Sequence, residues 1–130
     1  MPNVRSSVLL GMLLPVTGCS GFVGEAFLNR QANLTVHVIT SDGRAGVPCS
    51  VTALLFGQED ARADVAAGNK AQVAIGMLTP AKVSAPVKAR VALRVSCQGY
   101  GTITTTEKET EVAVVNVPSV DFGSVSVPAK

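Results

Sequence analysis

Apolar and polar side chains alternate along much of the chain after residue 33, which is the period of a strand with one buried face. In residues 34–40 the side chains of Leu34, Val36 and Val38 fall on one face, and residues 90–98 alternate in the same way. Further strands are predicted over residues 49–56, 71–77, 102–107 and 120–127, and residues 111–117 either continue the strand 102–107 or form another. About seven short strands with turns between them favour an all-β fold, a seven-stranded or so antiparallel β-sandwich.

The segments between these strands have several interpretations. Asp42-Gly43 is turn chemistry that favours a hairpin between the first two strands. The polar stretch 57–68 is predicted as a helical turn or a loop, and residues 78–89, broken by two prolines, as a loop or edge segment. Residues 20–32 show no clear period, so a tether and a first short element both remain open.

Residues 1–18 have the character of a secretory signal. Arg5 precedes a short apolar run, residues 8–14. A membrane-spanning helix needs about 20 apolar residues, so this run is too short to cross a bilayer.

The signal-like segment ends in Val16-Thr17-Gly18-Cys19, which resembles the lipobox of bacterial lipoprotein precursors. The resemblance implies that residues 1–18 are removed and that Cys19 carries acyl chains, such as palmitate, as a membrane anchor. Each buried methylene of such a chain contributes about 0.8 kcal/mol. Ser20, where some lipoproteins have aspartate, implies the outer membrane as the destination. The alternative is an ordinary secretory signal that contains a cysteine.

The chain has three cysteines, and acylation of Cys19 leaves Cys49 and Cys97 as an even pair in an oxidising compartment. Each of the two shares its predicted strand face with aliphatic or small residues, so both thiols are expected to point toward the core. These observations predict one disulfide between Cys49 and Cys97. Two free buried cysteines are the alternative.

Residues 34–51 run as a strand, an Asp-Gly turn, Gly-Val-Pro and a second strand, which resembles the opening of carboxypeptidase-regulatory-like and other transthyretin-like domains. A strand ending in Gly99-Tyr100 and a last strand with Asp121-Phe122-Gly123 are similar to later features of these domains. The resemblance implies one β-sandwich over residues 33–130, after a lipidated N-terminus and tether over residues 19–32. It departs at residues 64–68, where an alanine spacer replaces the usual Asp-x-x-Gly hairpin.

Charge and composition narrow the function classes. The formal net charge is +2 and 15% of the residues are charged, so no nucleic-acid footprint is present. Six basic residues lie in a part of the sequence that contains few acidic residues. They are either scattered over the surface or form a patch that faces lipid headgroups or an acidic partner. They are Arg62, Lys70, Lys82, Lys88, Arg90 and Arg94.

No catalytic residue, metal site or cofactor is predicted. The single histidine, His37, is expected on the solvent-facing side of its strand, with a general base or metal ligand as the alternative. A zinc site needs three or four ligands, and the cysteines are otherwise assigned.

The acidic residues are expected to be solvated on the surface, and the tyrosine is expected to have a structural role. Asp60 and Asp64 are expected to be solvated rather than a catalytic carboxylate pair, and Glu107, Glu109 and Glu111 to form a solvated face rather than a calcium site. The hydroxyl of Tyr100 is expected to bond to a nearby backbone group, as in sandwich corners.

These features predict a lipid-anchored envelope lipoprotein that acts as a non-enzymatic binding or assembly module. Its expected partners are the membrane, through Cys19, and an envelope protein, with an accessory subunit of an outer-membrane or secretion complex as one form. The alternatives are a carbohydrate- or peptidoglycan-binding module and a periplasmic hydrolase of transthyretin-like fold. The hydrolase of purine breakdown with this fold uses several histidines and a C-terminal Tyr-Arg-Gly-Ser, which this chain does not match.

Overall fold

A computed structural model describes residues 26–130, which form eight strands and no helix. The strands are β1 (Phe27–Thr40), β2 (Pro48–Leu55), β3 (Gln58–Ala66), β4 (Lys70–Pro80), β5 (Val87–Cys97), β6 (Thr102–Thr104), β7 (Lys108–Val112) and β8 (Ser119–Val127). The signal-like segment and Cys19 lie outside the described residues.

Two compact units are present. The main unit contains residues 28–79 and 84–130, and it carries the two sheets described below. The described residues of the second unit are 26–27 and 80–83, where the Ala81 amide donates to the Ala26 carbonyl at 2.8 Å.

The strands form two sheets, which confirms the predicted all-β sandwich. The three-stranded sheet has the order β4-β1-β8, and the five-stranded sheet has the order β3-β2-β5, with β6 and β7 both paired to the remaining edge of β5. The strand pairs of the larger sheet are antiparallel, whereas β1 and β8 of the smaller sheet pair in parallel. The pairing of β1 with β8 is a local departure from the predicted antiparallel arrangement.

The core lies between the inward faces of the two sheets, because alternate residues of each central strand are apolar. Along β1 every second residue from Ala32 to Val38 is buried, and the facing strands β2 and β5 follow the same pattern. Burying a side chain of this size contributes about 1.5–3 kcal/mol. The largest fully buried side chains are Leu34, Val36, Val38, Val51, Ile75, Val91, Leu93, Val95 and Val127.

Three predicted segments differ in the structure. The strand predicted over residues 111–117 is instead β7, Lys108–Val112, and the chain leaves the sheet after Val112. Residues 57–68 contain strand β3 rather than a helical turn or loop, and its half-buried positions are mainly alanines, which give only a weak strand signal. Strand β1 begins at Phe27, seven residues before the predicted start, because alternation there is carried by polar and small residues.

The Asp-Gly turn after β1 does not form a hairpin, since β1 and β2 belong to different sheets. The Gly43 amide donates to the Thr40 carbonyl at 3.0 Å and closes the turn. The Gly46 amide then donates to the carbonyl of Ala67, next to the end of β3, also at 3.0 Å. This second bond leads the chain across to the other sheet.

The predicted disulfide is present. Cys49 and Cys97 lie directly opposite each other on β2 and β5, with Cα atoms 4.0 Å apart, and both are buried. The Gln98 amide donates to the Pro48 carbonyl at 2.9 Å, so the cysteines occupy the adjacent non-hydrogen-bonded pair. Antiparallel strands approach most closely at such pairs, at about 4.5 Å between Cα atoms. The bridge therefore joins neighbours within one sheet rather than crossing between the sheets.

Replacing Cys49 and Cys97 together with alanine is expected to lower the free energy of unfolding by about 2–5 kcal/mol, as for native bridges in small secreted domains. Reducing agent should lower the melting temperature of the parent protein and leave the double variant unchanged. A thiol assay on the unreduced, denatured Cys19→Ser protein provides the control. Two free thiols in that assay would contradict the bridge.

Candidate binding surfaces

A hydrogen-bonded network lies at the end of the sandwich that holds the disulfide. The Tyr100 hydroxyl, on the turn after β5, lies 2.8 Å from both carboxylate oxygens of Asp42, on the turn after β1. The Thr40 hydroxyl and the Arg44 amide also donate to Asp42, at 2.9 and 3.2 Å. The expectation that Tyr100 bonds to a backbone group is therefore wrong, because the turn after β1 delivers a charged acceptor to the same place.

These donors lower the pKa of the Asp42 carboxyl below its ordinary value, with the Tyr100 hydroxyl as the largest cause. The Thr40 hydroxyl and the Arg44 amide act in the same direction, because all three stabilise the charged form. Since the carboxylate is held by these donors, Asp42 acts as a brace between two turns of the fold.

Two adjoining grooves open beside this network and share Gly46, Pro48 and Gln98. The first, of about 730 Å³, extends onto the outer face of the larger sheet past Ser50, Asp64 and Ser96. The second, of about 600 Å³, is lined by residues of the Asp42–Tyr100 network. Ser50 lies opposite both Asp64 and Ser96, so the first groove presents two hydroxyls and a carboxylate in one row across three strands.

The predicted basic block does not form a continuous positive patch on the larger sheet. Arg94 forms an ion pair with Glu59 at 2.7 Å, and Arg90 lies 3.8 Å from Glu107. Lys88 lies directly opposite the acidic residue at position 111 of β7. Three of the six basic side chains therefore have an acidic neighbour, which is the arrangement of an ordinary mixed surface.

His37 lies on the outer face of β1, as predicted, but it has specific partners. Its Nε2 is 3.0 Å from the carbonyl oxygen of Gly68, and its Nδ1 is 3.4 Å from the hydroxyl of Ser124. A carbonyl only accepts, so Nε2 carries the hydrogen and, in the neutral ring, Nδ1 accepts from the serine. This orientation suits a base beside a hydroxyl, but the distance exceeds the usual 2.6–3.2 Å reach.

A nearby carboxylate does not complete such a site. Asp121 accepts the Gly123 amide at 2.9 Å and lies 3.5 Å from the Thr35 hydroxyl. The group that orients the imidazole is instead the Gly68 carbonyl, on the connection between β3 and β4. The geometry makes His37 a tie between that connection, β1 and β8.

The candidate acidic residues are dispersed. Asp60 accepts the backbone amide of Gly76 at 3.1 Å, whereas Asp64 lines the first groove. Glu109 and Glu111 are exposed on β7, as expected for a solvated face. Residues 26–130 contain no group of three or more potential metal ligands.

Most sheet edges are protected from pairing with another chain. β3 and β7 carry several exposed charged residues, and the Asp60 carboxylate occupies an outward amide of β4. In β8, the register shift opposite β1 forms a bulge near Gly123, whose φ is +71°, and the Lys108 ammonium lies 5.4 Å from the centre of the Phe122 ring.

The second half of β8, residues 124–127, is regular and uncharged. The Ser41 amide donates to the Val127 carbonyl at 2.9 Å, which fixes the alternation of the parallel ladder. The backbone groups of Ser124 and Ser126 therefore point away from β1. Within residues 124–127 no strand of the described chain pairs with that side, and chain contact on it begins at Pro128, whose carbonyl accepts the Gly101 amide at 2.8 Å. We call residues 124–127 the open edge.

Tyr100→Phe is expected to raise the pKa of Asp42 toward its ordinary value, because the largest stabilising donor is lost while the ring remains. A lowered carboxyl pKa contributes stability above that ordinary value, and the contribution is lost as the pH falls through the folded-state pKa. The variant should therefore melt lower than the parent near pH 7, and the difference should shrink near pH 2. Carboxyl-carbon NMR titration and melting curves measure both effects. Equal differences at the two pH values would mean that Asp42 is not involved.

Comparisons with known proteins give no relative from which a function could be inferred. No family model, curated protein sequence or solved structure matches it. Within residues 26–130 there is no helix with the length and apolar character of a membrane span. The β-sandwich is thus established by the fold of this chain, whereas the resemblances to lipoprotein precursors and transthyretin-like domains remain predictions from motifs.

Proposed function

We propose that the protein is a lipid-anchored envelope lipoprotein that serves as a non-enzymatic binding module and receives an extended segment of a partner protein at the open edge. The observation that carries this proposal is that the other long sheet edges are protected from pairing with another chain, whereas the open edge is not. The other long edges carry charges, a bulge or an occupied amide, and residues 124–127 carry none of these.

Strand addition suits the geometry of the open edge. Ser124 and Ser126 each offer an outward amide and an outward carbonyl, and a typical hydrogen bond contributes about 0.5–1.5 kcal/mol net. Val125 and Val127 are buried in the core, so the strand is held in place before a partner arrives. Such main-chain recognition gives affinity, and side chains beside the edge give specificity.

The lipid anchor at Cys19 compensates for a small contact. A short open edge binds weakly by itself, but anchoring holds the domain near other envelope proteins and raises the effective concentration of a partner. The Cys49–Cys97 bridge supports the same proposal, since disulfides persist in oxidising compartments such as the periplasm.

A second candidate function is carbohydrate or peptidoglycan binding in the first groove. The row of Asp64, Ser50 and Ser96 offers donors and acceptors to sugar hydroxyls. The aromatic residue of the adjoining groove is Tyr100, whose hydroxyl is engaged by Asp42.

Cys19→Ser is expected to abolish acylation, because serine lacks the thiol that receives the lipid. The variant should remain an uncleaved precursor or leave the membrane fraction, as measured by acyl-chain labelling and fractionation. The double variant Cys49→Ala/Cys97→Ala, which keeps Cys19 and leaves no unpaired thiol in the domain, is the control and should label normally. Unchanged labelling of Cys19→Ser would contradict the anchor.

Ser126→Pro is expected to abolish partner capture, because proline removes an outward amide without breaking a bond to β1. Ser126→Ala retains that amide and is the matched control. An envelope protein cross-linked to the lipidated parent should co-purify with the alanine variant and be lost with the proline variant, while acyl labelling and melting temperature stay close to those of the parent. Capture of the same partner by Ser126→Pro would contradict strand addition at the open edge.

A further inference from the structure

Among the described residues, the main unit exposes four large apolar side chains. Phe56 is 55% exposed, Leu78 71%, Val114 46% and Val115 71%. Single exposed apolar residues are ordinary, but a set of them on one part of a small domain marks a contact surface.

Strand register places all four at the same end, opposite the disulfide. Phe56 follows β2, and its amide donates to the Arg90 carbonyl near the start of β5 at 2.8 Å. The loop with Val114 and Val115 follows β7, whose last residue, Val112, pairs with Val87 at that same start.

Leu78 also lies at this end, although it belongs to β4 of the three-stranded sheet. The connection before β4 bonds to the carbonyl and amide of Val38, near the end of β1. The next residue after Leu78, Thr79, accepts from the Arg30 side chain at 2.7 Å, near the beginning of β1. β4 thus runs back along β1 toward the end at which the main unit begins. We call this the apolar end, defined by Phe56, Leu78, Val114 and Val115.

The chain that carries Cys19 enters the main unit at the apolar end. Residue 28 is the first of that unit, and the Gln31 amide and carbonyl bond to Ala113, beside Val114, at 2.8 and 3.0 Å. Nine residue-to-residue steps lead from Cys19 to residue 28, and they span at most about 30 Å when fully extended. An acyl anchor at Cys19 therefore keeps the apolar end within that distance of the bilayer.

Phe56 is also held in an unusual backbone conformation. Its φ is +52°, and Gly57 follows with φ +81°, as in a two-residue hairpin turn that favours Asn or Gly at both positions. A bulky residue with positive φ is a genuine outlier. Such strain is typical of functional positions, and here it places a phenyl ring at the tip of the β2–β3 hairpin.

We propose that the apolar end rests on the membrane that carries the anchor, with its four apolar side chains in the interfacial region of the lipid. This inference rests on the proposed lipid anchor. Two basic residues near this end, Lys88 and Arg90, lie beside Glu111 and Glu107, so we expect the contact to be apolar rather than electrostatic and insensitive to salt. Docking in this way turns the disulfide end and the open edge toward the partner.

The chain has no tryptophan, so a single substitution provides an unambiguous fluorescence reporter. Phe56→Trp and Val115→Trp are made separately in the lipidated full-length protein, and Gln98→Trp, at an exposed position of the disulfide end, is the matched control. Each protein is reconstituted into phosphatidylcholine vesicles with or without brominated acyl chains. The F56W and V115W proteins should emit at shorter wavelength on vesicles and lose roughly half or more of their intensity to brominated lipid, as expected for interfacial side chains. The Q98W protein should do neither, and raised salt should not reverse the quenching.

Flotation and acyl labelling of the same samples separate the two proposals. Labelled, floating protein in which brominated lipid quenches F56W and V115W no more than Q98W would overturn the docking and leave the anchor intact. A shift to shorter wavelength without quenching by brominated lipid would also overturn it, because protein rather than lipid would cover the apolar end. Absence of label and flotation would refute the anchor, and the docking with it.

Discussion

The pairing of β2 with β5 is the constraint on which the rest of this structure depends. These strands lie at the centre of the larger sheet, β3 adds to one side, and β6 and β7 add to the other. A slip of one residue would turn every inward side chain of a strand, Val51 and Leu93 among them, toward solvent. The Cys49–Cys97 bridge joins opposed residues of this pair and so fixes its register covalently.

The two ends of the sandwich have different chemistry because different connections meet there. At the disulfide end the turn after β1 carries Asp42 to Tyr100, and their hydrogen bonds brace a surface with two grooves. At the apolar end a tight hairpin and the loop after β7 expose Phe56 and Val115 instead. The proposed docking on a membrane depends on this difference between the two ends.

Protection of the edges is distributed unevenly. β3 and β7 alternate charged residues with inward apolar ones, which prevents pairing with a second chain while the core stays filled. β8 combines a bulge in its first half with a regular, uncharged second half, and its parallel pairing with β1 leaves Ser124 and Ser126 turned outward. The same strand thus contains a protected and an unprotected segment.

Alternation along the sequence was sufficient to predict the all-β class, the inward residues of β1, β2 and β5, the outward position of His37 and the inward direction of both paired cysteines. These are local consequences of a period of two, because successive side chains of a strand point to opposite faces. The motif around Cys19 likewise rests on local sequence, and it remains a prediction. The apolar end could not be recognised in this way, since Phe56, Leu78 and Val115 are far apart in the chain.

Tertiary structure alone decided the features that depend on distant partners. Residues 58–66 form a strand because their backbone pairs with the edge of β2, although their own pattern of apolar and polar residues is weak. After the turn at Asp42 the chain passes to the other sheet, because the Gly46 amide donates a hydrogen bond to the Ala67 carbonyl. The Tyr100 hydroxyl bonds to the Asp42 carboxylate, a contact between residues that are 58 positions apart in the sequence. The parallel pairing of β8 with β1 joins residues that are about 86 positions apart. No local period encodes such contacts, because they are selected by how the two sheets close around the shared core.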